Sequence, residues 1–366
     1  MTMSNVSELL TIVAPMKKEE RNLPECISNK IKNMSIVCAM LVVFIHLGQP
    51  SIVGSYGWWF YQLTAEGVSR IAVPFFFVCS GFLLSRHFEC YNWYFIEIIK
   101  RIKTLVVPYT LWSLIFFAYI WGLWKISPDN PVCWRMNQTM PLISWFMLAT
   151  GLSLEKLPML YPLWYIRFLF LLIVVSPFFL LIAKSHKRLF IGVIMFLYLM
   201  FNPGDGSPIG IHIGFPFEGV FYFCCGIMLS DNAVESFERE DGMVSNGIRL
   251  IAVSLLLIIA RTVSVRMDLP MIWVFKPLFI VFGVFGVWSI MPKKKWPEKL
   301  TRLSFLVYVT HVFGLQLYSF FLGRDSDSIV ILLGRLVCGL CFALCVSFFI
   351  RNVANQYLAA LFGWRH

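Results

Sequence analysis

The stretch Ser69-Arg-Ile-Ala-Val-Pro-Phe-Phe-Phe-Val-Cys-Ser-Gly-Phe-Leu-Leu84 holds one charged residue, Arg70, in sixteen positions. A helix rising about 1.5 Å per residue needs about 20 apolar residues to cross a hydrocarbon layer roughly 30 Å thick. This run nearly meets that need. It also carries an internal Pro74, which frees a backbone carbonyl and kinks a helix, a feature tolerated where neighbouring membrane helices satisfy the freed group. Similar runs recur over 33–49, 104–124, 161–183, 189–202, 214–230, 248–265, 271–290, 303–322 and 329–350. The segment 141–152 is too short to cross.

The expected fold class is therefore an all-α polytopic membrane protein with about ten transmembrane helices and both termini cytoplasmic. Composition agrees: of 366 residues 58% are hydrophobic and only 14% charged, with a mean hydropathy of +0.74, against roughly 25% charged in soluble domains. Three regions are expected: a polar cytoplasmic tail 1–28 without a cleavable signal, a membrane domain 29–352, and a cytoplasmic tail 353–366.

The net charge of +11 is orientation chemistry rather than a nucleic-acid surface. With the N-terminus inside, the ten-span reading puts most of the 31 Lys and Arg on the inner side and five outside (Lys125, Arg135, Lys156, Arg266, Arg324), with the rest within spans. Loops rich in Lys and Arg stay cytoplasmic. The inner clusters, such as Lys293, Lys294 and Lys295, also suit the phosphates of an anionic ligand. Of ten cysteines only Cys133 falls in a long outer loop, so no outer disulfide is expected. Cys338, Cys341 and Cys345 share a helical face without His or Asp partners, which reads as packing, and no metal site is expected. The long loop 125–160 and the Gly/Pro-rich loop 202–213 either cover an outward cleft or simply connect spans.

Ionisable side chains at mid-membrane cost at least about 2.5–3.5 kcal/mol and mark sites by default. His46, fourteen residues beyond Lys32, stands about 21 Å up the first span, in the outer half. Arg70 enters the second span from the outer side at a similar depth. A histidine there suits a general base on an attacking hydroxyl, and an arginine suits a developing oxyanion. Structural roles, a hydrogen-bonded histidine and a snorkelling arginine, compete with these. Trp164 and Arg167 open the fourth span. His311 lies nine residues past Arg302, about 13 Å from the inner side. Arg261, Lys276 and Arg335 are further charges within spans, and Glu218 is a candidate counter-ion for one of them. No Walker loop, dinucleotide fingerprint or nucleophile elbow is present.

Four segments together resemble the acyltransferase 3 family of bacterial membrane proteins. They are Ala39-Met-Leu-Val-Val-Phe-Ile-His46, the Arg70-to-Gly81 stretch with its Pro-Phe-Phe and closing Ser80-Gly81, Pro162-Leu-Trp-Tyr-Ile-Arg167, and Ser304-Phe-Leu-Val-Tyr-Val-Thr-His311. The resemblance implies ten helices, an acyl donor bound from the cytoplasm (usually acetyl-CoA, as a substrate and not a resident cofactor) and a glycan acceptor acylated at the outer face. It implies catalytic His46 and Arg70, with Trp164, Arg167, His311, Ser80 and Lys32 in substrate binding. One position departs from the pattern. Family members carry a basic residue eleven positions before the first histidine, where this chain has Ser35, and Lys32 is the substitute one turn earlier. The expected activity is O-acetyl transfer to a cell-surface polysaccharide or its lipid-linked precursor, in a bacterial cytoplasmic membrane. The partners are acyl-CoA, glycan and bilayer but no nucleic acid, with a separate extracytoplasmic protein completing the transfer as one arrangement. Two alternatives are a glycan-lipid flippase and a catalytically divergent family member.

Overall fold

The computed structural model describes residues 23–87, 91–139, 141–152, 158–201, 216–229, 242–269, 272–323 and 327–353. The loop 202–213, Lys156, Arg324, most of the N-terminal tail and nearly all of the C-terminal tail lie outside the described residues. The described residues form α-helices with short 3-10 and π turns: α1 (Glu25–Ile45), α2 (Tyr56–Thr64), α3 (Ala72–His87), α4 (Tyr91–Arg101), α5 (Val107–Ile126), α6 (Leu142–Thr150), α7 (Trp164–Ser185), α8 (Lys187–Phe201), α9 (Phe217–Met228), α10 (Met243–Arg266), α11 (Phe275–Ile290), α12 (Glu298–Thr301), α13 (Ser304–Leu322) and α14 (Ile329–Val353).

Seven segments are long and apolar enough to cross a membrane, which makes this a polytopic membrane protein. The expected count was ten. The difference falls on the spans 189–202, 214–230 and 271–290, where α8, α9 and α11 have 15, 12 and 16 residues, or about 22, 18 and 24 Å of rise. Two helices were not foreseen. Helix α2 precedes the second span, and α4 joins the third through a π turn, Ile102–Val106, so that Tyr94–Ile126 runs as one 33-residue segment.

Helix α13 lies at the centre, packed on α14 and α1. Its residues Leu306 through Leu315 are all buried, the signature of a helix surrounded on every side. By contrast, α10 and α14 are only 28% buried along their apolar windows, against 61% for α13. Leu256, Ile259, Val337 and Phe349 on those two helices face outward, as lipid-contacting residues do.

The Ser80-Gly81 pair has a packing reason. A Cβ on Gly81 would stand 2.1 Å from the Phe223 carbonyl oxygen, and one on Gly226 would stand 2.1 Å from that of Val78. Helices α3 and α9 thus cross backbone to backbone through reciprocal glycines, the small-residue contact on which membrane helices rely. Gly81→Ala or Gly226→Ala forces the two helices apart. Either is expected to cost at least about 1–3 kcal/mol and to lower the thermal unfolding midpoint of the purified protein, whereas Gly122→Ala, with open space at its Cβ, leaves it unchanged.

The start of α1 is pinned to the segment after α11 by amides. Asn29 donates to the Lys293 carbonyl (3.3 Å), and Asn33 donates to those of Pro292 (3.1 Å) and Lys294 (2.9 Å) while accepting from the Trp296 amide (3.1 Å). The start of α1 is therefore level with residues 292–296. Helix α12 then carries the chain inward before α13 begins.

Candidate functional site

His46 ends α1 because Gly48 follows with φ +94°, a left-handed conformation that stops a helix cheaply only at glycine, and Pro50 comes two residues later. Beyond it the chain is tied to the start of α14. The Ser51 hydroxyl (2.5 Å) and Ile52 amide (2.7 Å) both donate to the Asp327 carboxylate, and the Gly57 amide donates to its carbonyl (3.1 Å). The Ser51 and Ile52 donors hold this carboxyl below its usual range. The tie is thus fully formed above the ordinary carboxylate value and is lost as pH falls through the lower folded value. Asp327→Asn should raise hydrogen exchange of residues 51–57 at neutral pH, and strong acid should do the same to the wild type.

The His46 ring is half-buried and packs edge-on against Tyr161, with centroids 4.7 Å apart at 71°. On another side it lies near-parallel to His311, at 5.4 Å and 17°. The sequence placed these histidines about 21 Å and 13 Å from the inner side, yet their rings meet. The two reckonings took Lys32 and Arg302 as one level. The Asn33 hydrogen bonds and the intervening α12 show that α13 starts deeper, which accounts for the roughly 8 Å of difference in helical rise.

His311 is completely buried. Its Nδ1 lies 3.1 Å from the Val307 carbonyl oxygen. A carbonyl only accepts, so Nδ1 carries the hydrogen and Nε2 presents a bare lone pair. That Nε2 is buried with no hydrogen-bond partner among the described residues. An unsatisfied buried polar atom is costly and asks for an explanation. No hydrogen bond joins it to His46.

One turn earlier, the Tyr308 hydroxyl donates to the Pro162 carbonyl, so the Pro162–Arg167 motif is latched to α13. Tyr165 packs edge-on to Tyr308 (6.2 Å) and to Phe77 (4.7 Å), and Phe77 also meets Trp164 (6.4 Å). Trp164 is thus joined to the second motif. Arg167 instead engages the Tyr109 hydroxyl on α5, which itself donates to the Gly151 carbonyl.

Two cavities flank α3. One, about 300 Å³, is lined by apolar groups such as Val78, Phe82, Phe221 and Val281. The other, about 240 Å³, lies between α3, α7 and α13 and is lined by Ser80, Tyr165, Ser304, Tyr308 and Arg101 among others. Only the second combines hydroxyls with a cation, Arg101, and it reaches within one turn of His311. Ser80 lies in its wall. Lys32 is exposed, and the Ser35 hydroxyl turns back to the Ile31 carbonyl (2.7 Å) of its own helix. The lysine that α1 directs inward is Lys30, which donates to the Trp288 carbonyl (3.2 Å) and sits 5.4 Å over its ring.

Arg70 does not reach His46 by a hydrogen bond, but the two are within electrostatic range. Arg70 grips Glu66 through Nε (3.1 Å) and Nη2. Arg261 donates to Gln62 (3.1 Å) and approaches Glu66 (3.9 Å). Lys276 pairs with Glu218 at 3.1 Å, so Glu218 is the counter-ion of Lys276. Glu66 was absent from the expected site, although its spacing four residues before Arg70 is a helical ion-pair signal. Among the described residues no three His, Cys, Asp or Glu side chains converge as metal ligands would.

The described residues form a polytopic helical bundle in which two stacked histidines lie between a hydroxyl-lined cavity and a charged cluster. The family profile described as an acyltransferase domain matches residues 29–352, and the chain belongs to this acyltransferase 3 family. It is also similar to the succinoglycan biosynthesis protein ExoH of Rhizobium meliloti (strain 1021), with 26% identity over 363 residues and 93% of each chain covered. No solved structure matches.

Proposed function

We propose that the protein is an acyltransferase of a bacterial cytoplasmic membrane that moves an acyl group, acetyl in the simplest case, from a cytoplasmic CoA thioester to a hydroxyl of a polysaccharide or its lipid-linked precursor at the outer face. The single observation that carries this reading is the His46–His311 stack. It sets a buried lone pair with no partner among the described residues against a second imidazole that is only partly buried. The relative's printed role in succinoglycan biosynthesis supports a polysaccharide acceptor. The short helices α8, α9 and α11 complete ten crossings, with the basic clusters inside.

The donor enters between Arg101 and Ser304 and lays its acyl end past Ser80 and Tyr308. Nε2 of His311 attacks the thioester carbonyl carbon, the C–S bond breaks, and the CoA thiolate leaves into the cytoplasmic cavity. The Val307 carbonyl, bonded to Nδ1–H, steadies the positive charge on the acyl-imidazolium. The acceptor hydroxyl then attacks the same carbon, its proton passes to His46, and the C–N bond breaks. Arg70 lies near enough to support the developing negative charge.

Mass spectrometry of surface glycans from cells with and without the gene tests the reading. Loss of one acyl mass per repeat, about 42 Da for acetyl by difference of formula, is the expected result, whereas loss of whole glycan export would make the protein a transporter. Ser80→Trp, which fills the inner cavity, should raise KM for acyl-CoA at least about tenfold while leaving KM for the acceptor alone.

A further inference from the structure

Helix α5 divides its aromatic residues between two faces. Phe116 and Tyr119 meet Phe313 of α13 at 4.9 and 5.0 Å, and the Tyr119 hydroxyl donates to the Phe313 carbonyl (2.9 Å). Phe117, Trp121 and Trp124, spaced by four and then three residues, share another face. The nine-residue α6 packs there through Trp145, whose ring meets Phe117 at 6.1 Å and 75°. With Met136 from the intervening loop these residues line a cleft of about 430 Å³, within the size range of small-molecule sites.

The indoles form a fixed wall. Trp124 Nε1 donates to Asn137 Oδ1 (2.6 Å), and the Asn137 amide in turn donates to the Pro128 carbonyl (2.7 Å). The Lys125 ammonium stands over the Trp124 and Trp121 rings at 4.7 and 5.5 Å. The other two indole N–H groups are uncommitted: Trp121, 50% exposed, and Trp145 make no hydrogen bond among the described residues. Tryptophan also serves as a membrane-interface anchor, each ring reaching the headgroups on its own. Three indoles around one concavity, one of them tied to the protein through its N–H, make a binding surface instead.

The cleft lies at the end of the bundle where α1 stops. Asn130, beside it, donates to the Phe320 carbonyl near the end of α13 (3.0 Å), and Leu47, next to His46, packs in one cluster with Leu315 of α13 and Leu332 of α14. Arg135, next to Met136, donates to the Pro158 carbonyl (3.2 Å). Tyr161, whose ring packs on His46, follows three residues later, at most about 10 Å of chain. One short loop thus separates the cleft from His46.

We infer that the Trp121–Trp124–Trp145 cleft is a distal subsite for the acceptor glycan, holding one sugar ring while another unit of the same chain meets His46. The flat face of a pyranose presents C–H groups to the negative face of an indole, and its hydroxyls accept from the uncommitted N–H groups of Trp121 and Trp145. A hydrocarbon chain would leave both donors unused. The acceptor is a glycan only on the acyl-transfer reading, so the subsite rests on that reading. It adds that the acceptor is a chain long enough to occupy both places.

The test uses the full chain in lipid nanodiscs, with a disaccharide and an octasaccharide cut from the cell's own surface polysaccharide and stripped of acyl groups by mild alkali. Equilibrium binding and kcat/KM for acyl transfer are measured with each. The octasaccharide should bind at least roughly tenfold more tightly than the disaccharide, the size of one aromatic stacking contact. Trp121→Ala and Trp145→Ala should each remove most of that advantage, and Trp121→Phe, which keeps an aromatic face, should keep most of it. Trp134→Ala removes an exposed indole outside the cleft and should leave the ratio unchanged. Equal binding of the two lengths, binding of neither, or a ratio that the Trp121 and Trp145 variants leave intact would each overturn the inference. So would variants that weaken both lengths alike while lowering the thermal midpoint, the result expected of membrane anchors. Length preference in binding without acyl transfer to either chain would sink the acyl-transfer reading alone.

Discussion

His46→Ala is expected to lower acyl transfer by about 10²–10⁴-fold, the usual contribution of a positioned general base, while leaving the protein folded. The reasoning is local. The ring ends a helix, is half-buried, and makes ring contacts to Tyr161 and His311 rather than hydrogen bonds. Its truncation therefore orphans no buried polar atom, and the destabilisation is that of lost packing only. The helix terminus itself is set by the backbone at Gly48 and by the ties of residues 51–57 to Asp327, none of which involve the imidazole. The variant should elute as the wild type does in size-exclusion chromatography and bind acyl-CoA with unchanged affinity, since His46 does not line the cavity proposed for the donor. Normal glycan acylation by this variant in cells would remove His46 from the mechanism.

The parts of this arrangement that were legible in the sequence are those that depend on periodicity and length. Long apolar runs located the bundle, and the isolated histidines inside them, His46 and His311, are rings that the fold brings together. What the sequence could not supply was vertical register. His46 and His311 looked about 8 Å apart in depth because each was counted from the nearest basic residue, and the re-entry of the chain at α12 is fixed by amide hydrogen bonds from Asn29 and Asn33, more than 250 residues away. Pairing within the outer cluster was equally hidden. Lys276 and Glu218 are separated by 58 residues and Arg261 and Gln62 by 199, so only Glu66–Arg70, at helical spacing, was readable in advance. Helices α2 and α4 were missed because they extend neighbouring spans rather than cross on their own.

His311→Gln should separate the two halves of the reaction. Overall transfer is expected to fall by at least about 10²-fold, as for His46, but the partial reactions should differ. Nε2 of His311 is the buried lone pair that the hydrogen bond of Nδ1 to Val307 leaves without a partner among the described residues, and an acyl-imidazole formed there would make donor cleavage reversible without any acceptor. The wild type should therefore exchange labelled CoA into acyl-CoA when no glycan is present. His46→Ala should retain that exchange, because in the proposed path His46 takes part only in the second step, at the acceptor hydroxyl. His311→Gln should lose it, since the amide is a poor nucleophile even though its size fills most of the imidazole's space. The amide's two donors would meet a site built around an acceptor, so a thermal shift is also expected. Exchange lost with only a small shift identifies chemistry rather than unfolding. Absence of exchange in the wild type, with transfer intact, would overturn the two-step path and leave His311 to assist a direct attack of the acceptor on the thioester.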